Sequence, residues 1–151
     1  MTVVLDGRET TDKVMEEVAA DVEALKAKGV TPGLALVLTG DDKYSVRYVN
    51  LKKKRAEKVG IYAEFHHLEE TTDEELIALI HRLNEDPKIH GVMVQLPLAE
   101  GLSELKAVDA IAPEKDVDGL SPSTLGRVLM GEDCFPPAGV EAIMELFKRY
   151  G

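Results

Sequence analysis

Leu34-Ala35-Leu36-Val37-Leu38 is an apolar run without a polar break, opened by Pro32-Gly33 and closed by Thr39-Gly40-Asp41. A strand with one wet face alternates apolar and polar residues, whereas a short unbroken run suits a strand covered on both faces, as in a parallel sheet. A second such run, Gly91-Val92-Met93-Val94-Gln95-Leu96, stops at Pro97, and residues 61–66 read as a third strand lying between the two in the chain. Between these strands, residues 42–59 read as a helix closed by Gly60. Residues 72–84 read as another, with Thr72 three residues ahead of Glu75 in a capping-box pattern and Pro87 blocking its continuation. Strand, helix, strand, helix, strand with short connections predicts right-handed βαβ units. The expected fold class is α/β, a three-layer sandwich around a small, mainly parallel sheet.

Outward from this centre, Val14, Val18, Val22 and Leu25 recur at three- and four-residue spacing, which predicts an amphipathic helix over 10–28 with Gly29 at its C-terminal end. Residues 2–5 form a short apolar stretch before it. On the other side, 104–111 read as a short helix, 113–120 as a loop rich in charge and glycine, and 123–130 and 140–150 as two further helices. No internal repeat or low-complexity tract interrupts the chain. Its 151 residues fit one domain over 1–151, large enough to bury a core without disulfides or metal.

Composition removes several classes of function. Acidic residues outnumber basic ones by 28 to 18, a net charge of -10, which disfavours coating nucleic acid or an anionic membrane. Cys134 is the single cysteine, and no Cys or His spacing matches a zinc site, so neither an internal disulfide nor a metal is expected. The first residues lack a basic segment followed by a long apolar run, and nowhere do eighteen apolar residues follow one another. A cytoplasmic protein with neither signal peptide nor membrane span is the expectation.

Ligands of open α/β sheets bind outside the carboxyl ends of the strands, which directs attention to three segments. On the helix after the first strand, Ser45, Tyr48 and Lys52 share one face. A lysine beside a tyrosine in a desolvated cleft can act as a proton carrier near neutral pH. Alternatively, Lys52 belongs with Lys53, Lys54, Arg55 and Lys58 to a solvated face. At the end of the last strand Gln95 offers both a donor and an acceptor, able to orient a lysine or ligand, or merely to satisfy loop backbone. In Lys115-Asp116-Val117-Asp118-Gly119-Leu120, the paired aspartates suit an Asx turn, or a carboxylate gripping the N–H/NH2 edge of a heterocycle. Seven of the eighteen basic residues fall within 43–58, a local positive patch that could attract an anionic tail or form a mixed solvated surface with Asp41, Asp42 and Glu57. No G-x-G-x-x-G occurs, and the Gly126–Gly131 spacing is followed by Glu132 where a phosphate loop needs lysine.

Taken in order, these segments resemble the bifunctional methylenetetrahydrofolate dehydrogenase/methenyltetrahydrofolate cyclohydrolases. The resemblance runs through Leu5-Asp6-Gly7, Pro32-Gly33-Leu34-Ala35, Ser45-Val46-Arg47-Tyr48-Val49 with Lys52, Val94-Gln95-Leu96-Pro97-Leu98, and Pro113-Glu114-Lys115-Asp116-Val117-Asp118-Gly119-Leu120. It implies the N-terminal, folate-binding domain of an enzyme whose active site lies in a cleft against an NADP-binding Rossmann domain. Carried over residue by residue, Lys52 is the catalytic lysine of the cyclohydrolase step, and Tyr48 stacks on the folate ring system. Gln95 holds Lys52, with Leu96 beside it at the substrate; Asp118 anchors the pterin edge, and Ser45 supports the group.

The chain departs from the family at Cys134-Phe135-Pro136, where a Cys-Thr-Pro stretch is usual. It also stops about where the family enters its Rossmann domain, so this chain is expected to lack that domain and not to bind NADP by itself. The implied partners are tetrahydrofolate derivatives, with a separately supplied Rossmann domain left open and the oligomeric state undetermined. A pterin-binding module without turnover is the alternative of another class. Tyr48-x-x-x-Lys52 also has the spacing of short-chain dehydrogenases, but the glycine-rich loop of those enzymes is missing.

Overall fold

The computed structural model describes residues 4–151. Of the apolar stretch at 2–5, residues 2 and 3 lie outside the described residues. Three strands, β1 (Gly33–Thr39), β2 (Tyr62–Leu68) and β3 (Gly91–Val94), form a wholly parallel sheet in the order β2-β1-β3. Six helices surround it: α1 (Gly7–Ala27), α2 (Lys43–Lys58), α3 (Asp73–Glu85), α4 (Glu104–Asp109), α5 (Pro122–Met130) and α6 (Ala138–Tyr150). The expected α/β class and order of elements hold, and the differences lie at the ends.

Those ends are set by local hydrogen bonding. α1 begins three residues ahead of its expected start at residue 10 because the Asp6 carboxylate accepts from the backbone N–H groups of Arg8 and Glu9, at 2.8 and 3.1 Å. α3 carries the full capping box between Thr72 and Glu75. β3 is two residues shorter than its apolar run. Gln95 N–H still donates to the Val37 carbonyl at 2.8 Å, but the chain then turns away through the cis Leu96–Pro97 peptide. Beyond the open edge of β3 the loop returns: Val92 N–H donates to the Lys115 carbonyl at 2.8 Å, and Val92 pairs in parallel with Asp116 as an isolated bridge. This rung lies outside the regular sheet and brings residues 116–118 to its carboxyl end.

Strand alternation sends side chains to two unlike faces. Ala35 and Val37 of β1 and Val92 and Val94 of β3 point toward α3 and α4, where Leu76, Leu79, Ile80, Leu83, Ala107 and Ile111 complete a buried core. Burying one such Leu or Ile side chain is worth about 1.5–3 kcal/mol, so this face carries most of the hydrophobic stabilisation. Leu36 and Leu38 point the other way, against Val49 of α2, with Leu34, Val46, Phe65 and Met93 only partly covered around them.

Candidate active site

The thin face of the sheet is where the polar residues gather. Asp42 caps α2 by accepting from Ser45 N–H at 2.8 Å, and Val49 and Ala56 anchor the helix on the sheet. With the helix fixed in rotation, Tyr48 and Lys52, one turn apart, lie on the side that meets β3. Met93 and Gln95 have the same parity on the strand and its continuation, so both point to that side. Lys52 Nζ donates to Gln95 Oε1 at 3.0 Å and lies 3.4 Å from Met93 Sδ, a weak acceptor. It also stands 4.5 Å from the centre of the Tyr48 ring, within cation–π range.

Both alternatives for Gln95 are realised at once. Its Oε1 holds the lysine while its Nε2 donates to the Leu96 carbonyl at 2.6 Å, which fixes the amide and removes any freedom to flip. The two aspartates differ. Asp116 is fully buried and builds the turn: Oδ1 accepts from Gly119 N–H at 3.0 Å and Leu120 N–H at 3.4 Å, and Oδ2 from Ser121 N–H at 2.9 Å. Asp118 keeps its carboxylate for other use, while its backbone carbonyl accepts from Ala138 N–H at 3.2 Å. The adjoining Gly119, with φ +68°, lies so close to Phe135 and Pro136 that a side chain there would collide with their backbone. The stretch that departs from the family pattern thus braces the loop that presents Asp118.

Lys52 and Asp118 sense each other without forming an ion pair among the described residues. Burial pushes the Lys52 amine below the ordinary lysine value, against the opposing pull of the Asp118 carboxylate. Burial likewise pushes Asp118 above the usual carboxylate range, with Lys52 opposing the rise and Asp116 adding to it. In both groups desolvation outweighs mutual attraction, so both are drawn toward their neutral forms.

A cleft of about 860 Å³ adjoins the cluster, lined by Tyr44, Ser45, Arg47, Tyr48, Asn50, Leu51, Lys54 and Gln95. Ser45, Tyr48 and Gln95 belong to both, with Ser45 buried beneath the cleft and the Tyr48 ring 54 % exposed above it. Lys52 itself lies on the sheet side of the cleft, toward Met93. A smaller groove of about 640 Å³ between α1 and α6 shares no lining residue with this cleft. Met93 was hidden in the sequence inside an apolar run, and only its strand parity with Gln95 signals its place beside the lysine. The fully buried Asp116 gave the same turn signal as its neighbour, and burial is what separates them.

Among the described residues no group of His, Cys, Asp and Glu could hold a metal ion, and no helix is long and apolar enough to cross a membrane.

Residues 5–118 match the family model of the tetrahydrofolate dehydrogenase/cyclohydrolase catalytic domain. The bifunctional protein FolD of Moorella thermoacetica is 48 % identical over 149 residues, 98 % of this chain and 53 % of that protein; the Bacillus subtilis protein of the same name is 44 % identical over 147 residues, covering 97 % and 52 %. The chain spans about half the length of the curated relatives it matches. Among solved structures, the bifunctional FolD methylenetetrahydrofolate dehydrogenase/cyclohydrolase of Campylobacter jejuni superposes with a TM-score of 0.95 at 38 % identity, over 98 % of this chain and 53 % of that one. The Trypanosoma brucei enzyme, determined with NADP cofactor and inhibitor, gives a TM-score of 0.91 at 34 % identity, over 99 % and 52 %. With this match over 114 of its 151 residues, the chain belongs to the tetrahydrofolate dehydrogenase/cyclohydrolase family.

Proposed function

We propose that residues 1–151 are the folate-binding, catalytic domain of an enzyme that interconverts 5,10-methylene-, 5,10-methenyl- and 10-formyltetrahydrofolate, and that the hydrolysis of the methenyl bridge is the work of this domain. The observation that carries the proposal is the Lys52 amine, half-buried and held 3.0 Å from Gln95 Oε1 beside the Tyr48 ring.

In the methenyl substrate the carbon between N5 and N10 is an amidinium carbon. Water attacks it, an O–C bond forms and a proton of the water departs; the C–N5 bond then breaks as N5 takes up a proton, and the remaining hydroxyl proton leaves to solvent as the formyl C=O forms. The products are 10-formyltetrahydrofolate and one net proton. Lys52 suits both transfers: desolvation and the positive charge of the substrate favour its neutral form for accepting the first proton, and the resulting ammonium can supply the second. Gln95, tied to the Leu96 carbonyl, fixes the amine in place. Tyr48 offers a ring face to the folate, Asp118 an acceptor for the N–H/NH2 edge of the pterin, and Ser45 a polar support at the cleft floor.

NADP is the cofactor of the dehydrogenase step in this reading. The strand-to-helix connections at 40–42, 69–72 and 95–103 lack the glycine-rich turn that cradles a pyrophosphate, so these residues do not fit NADP. Addition of NADP is expected to leave the melting temperature of the 151-residue chain unchanged, and a reproducible rise would contradict this account. The partners assigned are tetrahydrofolate derivatives and neither nucleic acid nor membrane; the compartment is the cytoplasm, supported by the acidic surface and single cysteine. The decisive experiment is single-turnover hydrolysis of methenyltetrahydrofolate beside a folate titration. Hydrolysis that depends on Lys52 supports the enzyme; binding without hydrolysis makes the chain a pterin-binding module.

A further inference from the structure

The Lys52 amine touches one group to which the hydrolysis above assigns no task, the thioether of Met93, 3.4 Å from Nζ. Met93 pairs in register with Leu36 of β1, and it packs on the cluster of Leu36, Leu38 and Val49. A methionine side chain is flexible, and this packing settles where its sulfur stands. Among the described residues Lys52 Nζ has two hydrogen-bond acceptors, Gln95 Oε1 at 3.0 Å and this sulfur. Both belong to β3 or its continuation, whereas Tyr48 stands on α2 with the lysine itself.

A neutral primary amine arranges two N–H bonds, a lone pair and its carbon as a tetrahedron. With one acceptor, the amine turns about Cε–Nζ until an N–H meets it, and the lone pair is left a choice of two corners. A second acceptor removes the choice. When Gln95 and Met93 each hold an N–H, the lone pair takes the corner turned away from both, and there it receives the proton of the attacking water. The ammonium then carries that proton at the same corner, from which N5 takes it up. Sulfur suits this task because it accepts weakly. A carboxylate in its place would hold the amine as an ammonium, against the desolvation that favours the neutral form. We propose that Met93 is a positioning residue of the hydrolysis, its sulfur acting with Gln95 to aim the lone pair of Lys52 at the attacking water. The proposal rests on the reading of Lys52 as the proton carrier.

Met93→Leu nearly keeps the volume and removes the acceptor, so the melting temperature should hold. Without the sulfur the amine gains by turning that N–H to cleft water and its lone pair to the leucine, the unproductive orientation. The difference is one net hydrogen bond, so single-turnover hydrolysis, corrected for the fraction of neutral amine, is expected to slow about two- to tenfold with folate affinity unchanged. That fraction comes from a carbon NMR titration of the Lys52 ε-carbon in the full chain. Its midpoint should fall in the variant, since the ammonium loses an acceptor, while Asp118, the charged group that acts on this amine, is unaltered. Met93→Gln, similar in length and carrying an acceptor oxygen, should restore the rate. A leucine variant as fast as the parent overturns the positioning role and leaves the folate reading intact. So does one that is slowed with no change of midpoint and no rescue by glutamine, the pattern of a residue that only fills space. If the unmodified chain binds folate but hydrolyses nothing, or binds none, the reading of Lys52 fails and the role of Met93 falls with it.

Discussion

The two faces of the sheet are built for different tasks. Toward α3 and α4, eleven buried residues form one core cluster; toward α2, the buried cluster is Leu36, Leu38 and Val49, and its neighbours include Met93 beside an amine. Both faces belong to the same three strands, so the difference arises from side chains and not from backbone. A parallel sheet needs cover on both sides. Here one side supplies the stability, which leaves the other free to carry a lysine, an amide and two aspartates near the strand ends. Desolvating Lys52 and Asp118 is a cost, tolerable because the opposite face does not share it.

The largest expected effect belongs to the thin face. Lys52→Met keeps most of the aliphatic stem and removes the proton carrier, and single-turnover hydrolysis is expected to fall about 100- to 10,000-fold with folate affinity nearly unchanged. Wild-type rates should rise with pH through a midpoint below the ordinary lysine value of 10.5, because the neutral amine is the active form and burial favours it. Full activity in this variant would break the assignment of chemistry to this face. On the thick face, Ile80→Ala removes a side chain with no solvent exposure and should destabilise the fold by about 2–5 kcal/mol in denaturant titration. Its cleft should bind folate as before under conditions where the variant is folded.

Asp116→Ala tests the joint between the two faces. It leaves the N–H groups of Gly119, Leu120 and Ser121 without their carboxylate, at a cost of about 1–3 kcal/mol for a buried group left unsatisfied. Folate binding should weaken as well, since the turn that presents Asp118 is lost. An unchanged affinity would place Asp118 outside the site.

Much of this arrangement was legible in the sequence because parallel strands buried on both faces leave unbroken apolar runs, and because Gly29, Gly60, Thr72 and Pro87 punctuate the helices. What was hidden has a common physical origin. Strand ends depend on partners distant in sequence: β3 yields to the turn at Leu96–Pro97, and the 115–117 rung beside it appears only when the loop comes back to Val92. The start of α1 depends on a cap outside the apolar stripe. Lys52 and Lys54 look alike in a run of basic residues, and only the rotation of α2, set by Val49 and Ala56, turns one toward Met93 and leaves the other on the cleft wall. Asp116 and Asp118 are likewise alike on paper and are separated by burial.

A smaller, pH-dependent effect is expected at Asp118. Its folded-state pKa is raised by burial, so the protonated form favours folding and this contribution is lost as pH rises through the folded value. Asp118→Asn removes the charged form altogether. Relative to wild type, the variant should therefore gain stability on going from acid to neutral pH, in parallel urea titrations. The same change deletes the negative charge that raises the Lys52 pKa, so the alkaline midpoint of hydrolysis should move to lower pH while folate binding weakens. A midpoint that does not move would mean that the two groups act independently.

The smallest effect is expected far from both faces, on α6. This helix buries no residue, and its apolar side chains Ile143 and Phe147 are 53 % and 55 % exposed. Its attachment is polar: Arg149 pairs with Glu17 of α1 at 2.6 Å and with Glu145 at 2.7 Å, and the Tyr150 hydroxyl accepts from Asp6 N–H at 3.1 Å. An apolar residue already in water loses little on becoming polar, and serine and isoleucine have similar helix propensities. Ile143→Ser should therefore change stability by no more than about 0.5 kcal/mol, against the several expected for Ile80→Ala. The comparison is sharp because both substitutions remove an isoleucine from a helix of thirteen residues, one turned to the sheet and one to solvent. A loss above about 1 kcal/mol in dilute denaturant titrations would mean that the α6 stripe is covered in solution, and that stability in this chain does not rest on the α3 face alone.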